Sequence, residues 1–196
     1  MKARFTEKRT AAAPHGTRMF LAAALSLVLP MTASAGDANP DPDAQQIARG
    51  RYLVESSGCH DCHTPHTMGP NGPEANMAKM LSGHPAALRM PPAPPLPKGP
   101  WVALSSASGT AWAGPWGVSY TANLTPDPDT GLGRWTQRDF IETFRTGRRM
   151  GRGRKVLPPM PISAYRNLSD EDLGAIFAYL RTVPAVKNPV PEPVAP

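Results

Sequence analysis

The pentapeptide Cys59-His60-Asp61-Cys62-His63 constrains this chain more than any other stretch, because its two cysteines are the only ones among 196 residues. Three chemistries use such a cluster. A structural zinc site needs four ligands in a closed tetrahedron, so His60, His63, His66 or His84 would have to complete a single cysteine pair. A redox dithiol also uses C-x-x-C, but it belongs beside a βαβ unit, and no such pattern appears here. The third chemistry uses every residue of the motif. In C-x-x-C-H the thiols stand about one helical turn apart, where they can add to the two vinyl groups of a porphyrin. The adjacent imidazole then projects to the iron. On this reading Cys59 and Cys62 are covalent tethers, His63 is the proximal iron ligand, and the cofactor is one haem c. His60 and His66 are read as a surface and a loop histidine.

The second axial position decides what such a haem does. A methionine closes the iron and favours electron transfer, whereas an open site favours gas binding or peroxide chemistry. The candidates are Met68, Met77, Met80, Met90, Met150, Met160 and His84. Met160 stands apart because Pro158, Pro159 and Pro161 stiffen its loop and deny it a helix. A soft thioether held by a stiff loop suits haem iron, so Met160 is the expected sixth ligand.

The first 35 residues read as an export signal. Lys2, Arg4, Lys8, Arg9 and Arg18 form a basic leader, Met19 to Leu29 an apolar run, and Ala33-Ser34-Ala35 a cleavage site before Gly36. The alternative, a retained anchor, has only the uncharged stretch 19–35, interrupted by Pro30, against the ~20 residues of a membrane span. Export implies the periplasm. It also explains the charge: the whole chain is +6, but most of the excess lies in the leader, so nucleic-acid binding has no support.

Along the rest, residues 36–43 read as a flexible lead-in. A helix is expected from Ala44 to about Ser56, running into the cysteine motif, on the spacing of Ile47, Arg51 and Val54. From Thr64 to about Ala122 proline and glycine predict a long loop, with a helical turn only near Asn76 to Leu81. Trp101, Trp112 and Trp116 argue that this loop packs against an apolar surface. Thr136 with Asp139 predicts a capping box, Phe140, Ile141 and Phe144 a buried stripe, and Gly147 the helix end. Ser169 with Asp172 starts the last helix, whose stripe is Leu173, Ile176, Phe177 and Leu180. Residues 184–196 form a proline-rich tail that cannot be helical. No long alternating strand is visible, which predicts an all-α domain over 44–183.

The order of a helix into CxxCH, a Gly/Pro-rich middle, ANLTPDPDTGLGRW, a helix ending FRTGR, LPPMP and LSDEDLGAIFAYLRTVPAV resembles the class I c-type cytochromes. It is most similar to single haem domains in the cytochrome c subunits of bacterial alcohol and sugar dehydrogenases. The resemblance covers about residues 44 to 190. It implies a cytochrome c fold with a long Pro/Gly-rich loop insertion, in which the first and last helices cross, with Gly50 and Tyr179 in contact. It further implies that the Gly69-Pro70 pair supplies the carbonyl that orients the proximal imidazole, making Pro70 the candidate acceptor. Trp135 and Arg148 are candidates for the propionates, and Asn123 for tying the loop.

Arg145, Arg148, Arg149, Arg152, Arg154 and Lys155 carry no acid among them and lead into the Met160 loop, so they are expected to steer an acidic partner. The expected function is a monohaem periplasmic electron carrier with His/Met ligation, without a substrate of its own. It would pass electrons between a dehydrogenase and a quinol or terminal oxidase. One alternative is a dedicated subunit of a dehydrogenase complex at the membrane, using the proline-rich middle and the tail as its interface. The other is a haem enzyme or gas sensor with a labile sixth ligand, for which His84 is the available distal histidine.

Overall fold

Helix α1, Ala44–Ser56, begins where Asp43 accepts a hydrogen bond from the backbone N–H of Gln46 at 2.7 Å, satisfying one of the donors a helix start leaves unpaired. It buries Gly50, Leu53 and Val54 and leads within three residues into α2, Cys59–His63, a single turn made of the cysteine motif. The computed structural model describes residues 42–96 and 98–196; the proposed leader and nearly all of the lead-in lie outside this range. No helix among the described residues is long and apolar enough to cross a membrane.

Helix α3, Gln137–Thr146, carries the full reciprocal capping box of Thr136 and Asp139, and stops at Gly147, whose φ of 69° is left-handed and ends the helix at little steric cost. The short helix α4, Ile162–Tyr165, follows the Met160 loop, and α5, Asp170–Leu180, starts at Ser169, which accepts from the Asp172 N–H. Helices α1 and α5 cross with their backbones close together. A β-carbon built on Gly50 would fall 2.5 Å from the Ala175 carbonyl carbon and 2.9 Å from Tyr179 Cβ, so only glycine fits there. Below the crossing, Leu53 and Val54 meet Leu173, Ile176, Phe177 and Leu180. Phe140 and Phe144 of α3 join them, with ring centroids 5.1 Å apart and Phe140 5.4 Å from Phe177.

The expectation of an all-α domain is overturned. The middle of the chain, expected as loop, contains two small antiparallel sheets, which make the composition mixed α/β. The first pairs β1, His66–Gly69, with β2, Gly72–Ala75; the second runs β3, Leu104–Ser105, β4, Ala111–Gly114, and β5, Gly117–Tyr120. The physical reason for the error is length. Strands of two to four residues are too short for alternation to register, and the β1–β2 and β4–β5 hairpins each close through a two-residue turn bounded by paired glycines. Gly117, at φ 87°, serves twice, since any side chain there would also strike the backbone of Val194 and Ala195.

That approach shows where the proline-rich tail goes. Val194 and Val118 exchange two backbone hydrogen bonds of 2.8 and 2.9 Å, and Val186 and Asn188 donate to the Thr125 and Thr130 hydroxyls. Buried Asn188 donates to the carbonyls of Ser82 and His84 at 2.7 and 2.9 Å and accepts from Ala86 N–H at 2.9 Å. Residues 184–196 are therefore non-helical, as read from their prolines, and strapped across the domain.

Candidate functional site

The cysteine turn opens on an apolar cavity of about 670 Å³, within the usual range of ~300–1,000 Å³ for small-molecule sites. Cys59, Cys62 and His63 of α2 line it, as does Met160 from the proline loop, so the structure gathers the two tethers and the two expected iron ligands on one cavity. Its apolar lining comes from Leu124, Leu132, Phe140, Phe144, Ile176 and Leu180.

His63 is 9% exposed, and its Nδ1 donates to the Ala122 carbonyl at 2.8 Å. That bond fixes the tautomer and leaves the Nε2 lone pair free; burial holds the ring pKa below its ordinary value, so the imidazole is neutral and suited to a metal. The acceptor is thus Ala122, not Pro70, which sits exposed in the β1–β2 turn. No local signal could have supplied this, because Ala122 lies 59 residues away. The long loop wraps the motif. Gly83 N–H donates to the His63 carbonyl at 2.8 Å, and Leu81 N–H to Thr64 Oγ1 at 2.9 Å.

Neither rival chemistry fits these surroundings. Among the described residues no three His, Cys, Asp or Glu side chains gather as a zinc site would require. A reactive dithiol needs a lowered thiol pKa, but burial pushes the Cys59 thiol up to about 11 and the Cys62 thiol up as well. The two thiols are free of each other, as vinyl addition requires. Tyr165, which belongs to no motif legible in the sequence, braces the start of α2 by donating to the Ser57 carbonyl at 2.5 Å, and burial beside Cys59 raises its pKa to about 12.

Among the other described histidines, His60 and His84 are committed elsewhere. His60 pairs with Thr64 Oγ1 at 2.9 Å, His66 lies in β1, and fully buried His84 engages Thr110 Oγ1 and the Leu88 carbonyl with its two ring nitrogens. His84 therefore has no free nitrogen to offer as a distal group.

The Met160 loop is anchored from the second sheet, where Ser119 Oγ donates to the Pro158 carbonyl at 2.6 Å. The basic run is sorted by the fold. Arg145 is spent on the carbonyls of Arg166 and Leu168 and on Asp170, Arg152 pairs with Asp139, and Arg154 with Glu192 of the tail. Arg148 donates to the Gly153 carbonyl and stays exposed, while Arg149 stacks 5.4 Å over the Trp135 ring and, with Arg154 and Trp135, lines the cavity. Asn123 ties its loop to the tail through the Val186 carbonyl at 2.8 Å.

No known family profile matches the chain. Individual proteins do. It is 38% identical over 87 residues to one of the subunits of nicotinate dehydrogenase of Pseudomonas putida, covering 44% of this chain and 7% of that protein. It is 40% identical over 73 residues to the cytochrome c subunit of the quinone alcohol dehydrogenase of Gluconobacter oxydans, covering 37% and 15%. It is 37% identical over 91 residues to the fructose dehydrogenase cytochrome subunit of Gluconobacter japonicus, covering 46% and 18%. The matches span less than a fifth of the length of each of these relatives. They bear out the resemblance read from the motifs, that of a c-type cytochrome domain similar to those of alcohol and sugar dehydrogenase subunits.

Proposed function

We propose that the chain is a periplasmic electron-transfer protein carrying one covalent haem c, with Cys59 and Cys62 as tethers and His63 and Met160 as axial ligands. The observation that carries this reading is the meeting of four groups on one apolar cavity. They are two unbridged thiols, a neutral imidazole whose Nδ1 is already committed to Ala122, and a methionine on a proline-braced loop. The haem, when bound, supplies one-electron Fe(II)/Fe(III) exchange, at a potential that methionine ligation raises. The protein holds the imidazole in one orientation through Ala122, excludes water with the α3 and α5 side chains, and braces the Met160 loop through the Ser119 bond to Pro158. Its role is that of a carrier, not of a catalyst with its own substrate. The leader 1–35, cut before Gly36, would deliver the chain to the compartment where bacterial haem attachment occurs.

A second reading is supported by the relatives, which are named as dehydrogenase subunits. On it the chain docks permanently on a dehydrogenase at the membrane instead of shuttling to a quinol or terminal oxidase. Purification at native levels separates the two, since a carrier elutes alone and a subunit elutes with its enzyme. The gas-sensor reading loses its support with His84.

The test of the main reading is the intact mass of the chain produced in a host with haem-attachment machinery. One haem per chain is expected, and none in the double variant Cys59→Ala, Cys62→Ala. A chain exported without covalent haem refutes it.

A further inference from the structure

Between its two anchors the proline-rich tail borders the cavity: residues 189–193 line it together with Cys59, Cys62, His63 and Met160. One anchor is buried Asn188, whose side chain makes the three bonds to residues 82–86 and whose N–H donates to Thr130 Oγ1 at 2.9 Å. The other is Val194, which exchanges its two backbone hydrogen bonds with Val118 of β5. Neither anchor lines the cavity itself, so the five residues between them are held along it from both ends. Val190, Pro191 and Pro193 are half-buried, which places them between the cavity and solvent. The Glu192 side chain stays 82% exposed and meets Arg154, another lining residue, at 3.6 Å.

The composition of the tail suits this placement. Pro189, Pro191 and Pro193 carry no N–H, so they bring no backbone donor to an apolar wall, and the Val190 N–H is spent on the Asn188 carbonyl at 2.9 Å. Proline also has little backbone freedom to lose on being held. An ion pair as exposed as Arg154 with Glu192 contributes little, so the hold on this segment comes from Asn188 and Val194. A segment held between a cofactor cavity and solvent governs how much water reaches the cofactor. Water exclusion lowers the local dielectric, which disfavours the more highly charged ferric state and raises the potential.

We infer that residues 189–193 are the outer wall of the cofactor site, keeping water and external ligands from the iron that His63 and Met160 would hold. This inference rests on the proposed haem occupancy. It turns the tail inward, in place of the partner interface expected of a dedicated subunit.

The test uses the full-length, haem-loaded protein. In its reduced, diamagnetic form, protons of Val190, Pro191 or Pro193 should be displaced by the porphyrin ring current and show nuclear Overhauser contacts to the haem. The double variant Asn188→Ala, Val194→Pro releases both anchors while leaving every lining residue in place. Its covalent haem content should match the parent, its potential should fall, and external imidazole should displace Met160 about tenfold faster, since each hydrogen bond lost biases opening about two- to tenfold. Unchanged potential and displacement rate in the double variant overturn the inference. So does a parent in which no proton of residues 189–193 contacts the haem, even if the variant fails to fold. A parent without covalent haem instead overturns the reading on which the inference rests, so the two failures are distinguishable.

Discussion

Replacing Gly50 by alanine adds one methyl group at the point where α1 and α5 touch, and the structure leaves no room for it. The added carbon would sit 2.5 Å from the Ala175 carbonyl carbon and 2.9 Å from Tyr179 Cβ, where ordinary contact needs 3.4 Å or more. The obstruction is helix backbone, which cannot swing aside as a side chain could, so the helices must separate to admit it. Overpacking of a tight core contact costs about 1–3 kcal/mol. Because the obstruction is backbone, the upper part of that range, about 2–3 kcal/mol, applies; alanine regains up to about 1 kcal/mol of helix propensity over glycine, which leaves a net loss of roughly 1–2 kcal/mol. For a domain of this size that lowers the melting temperature by about 2–8 °C. Thermal unfolding of the haem-loaded protein, followed by far-ultraviolet circular dichroism, reads it directly. Serine should cost at least as much as alanine, and valine more. If Gly50→Ala is as stable as the parent or more so, helix propensity has won and the close crossing is refuted.

Asn188→Ala removes three hydrogen bonds that hold the tail to residues 82–86, at about 0.5–1.5 kcal/mol each, so a loss of about 2–4 kcal/mol is expected together with faster proteolysis of residues 184–196. The hydrogen bond from Arg49, and then its charge, hold the Asp172 carboxyl below the usual carboxylate range. The stabilisation is therefore complete above the unfolded pKa of about 3.9 and is lost as pH falls through the lower folded value. Asp172→Asn should lower the melting temperature at neutral pH and flatten its fall below about pH 4, whereas parallel curves for the two proteins would contradict the pairing. Exchanging Arg148 and Arg149 for glutamate should slow reduction by an acidic redox partner at low ionic strength, with the difference fading as salt screens it, and unchanged rates would remove the docking role.

What was legible in the sequence was whatever local chemistry specifies. Asp139 three residues after Thr136, Gly147 after the phenylalanine stripe, and the apolar spacing of 173–180 each encode an element within one or two turns. Their boundaries follow. The cysteine motif and the proline-flanked methionine were equally local, and the fold brings them to a common cavity. The missing features depend on partners far along the chain. The strands are too short to alternate visibly, and their pairing rests on glycine-bounded turns that read as loop. The acceptor for His63 is a backbone carbonyl, which carries no residue signature, so the choice of Pro70 rested on resemblance alone and failed. The basic run could not be divided by sequence into paired and free arginines, because Asp139, Asp170 and Glu192 reach it only through folding. The tail reads only as non-helical, because proline forbids helix. Its hold comes from Asn188, Val186 and Val194, none of which belongs to a motif.

In the proposed function, Met160 closes the iron of a haem held by Cys59, Cys62 and His63. The absorption spectrum of the purified oxidised protein tests it most directly. The weak long-wavelength charge-transfer band of methionine bound to ferric haem is expected in the parent protein and should be lost in Met160→Ala while covalent haem is retained. A high-spin five-coordinate spectrum in the parent, or a band that survives Met160→Ala, would contradict it.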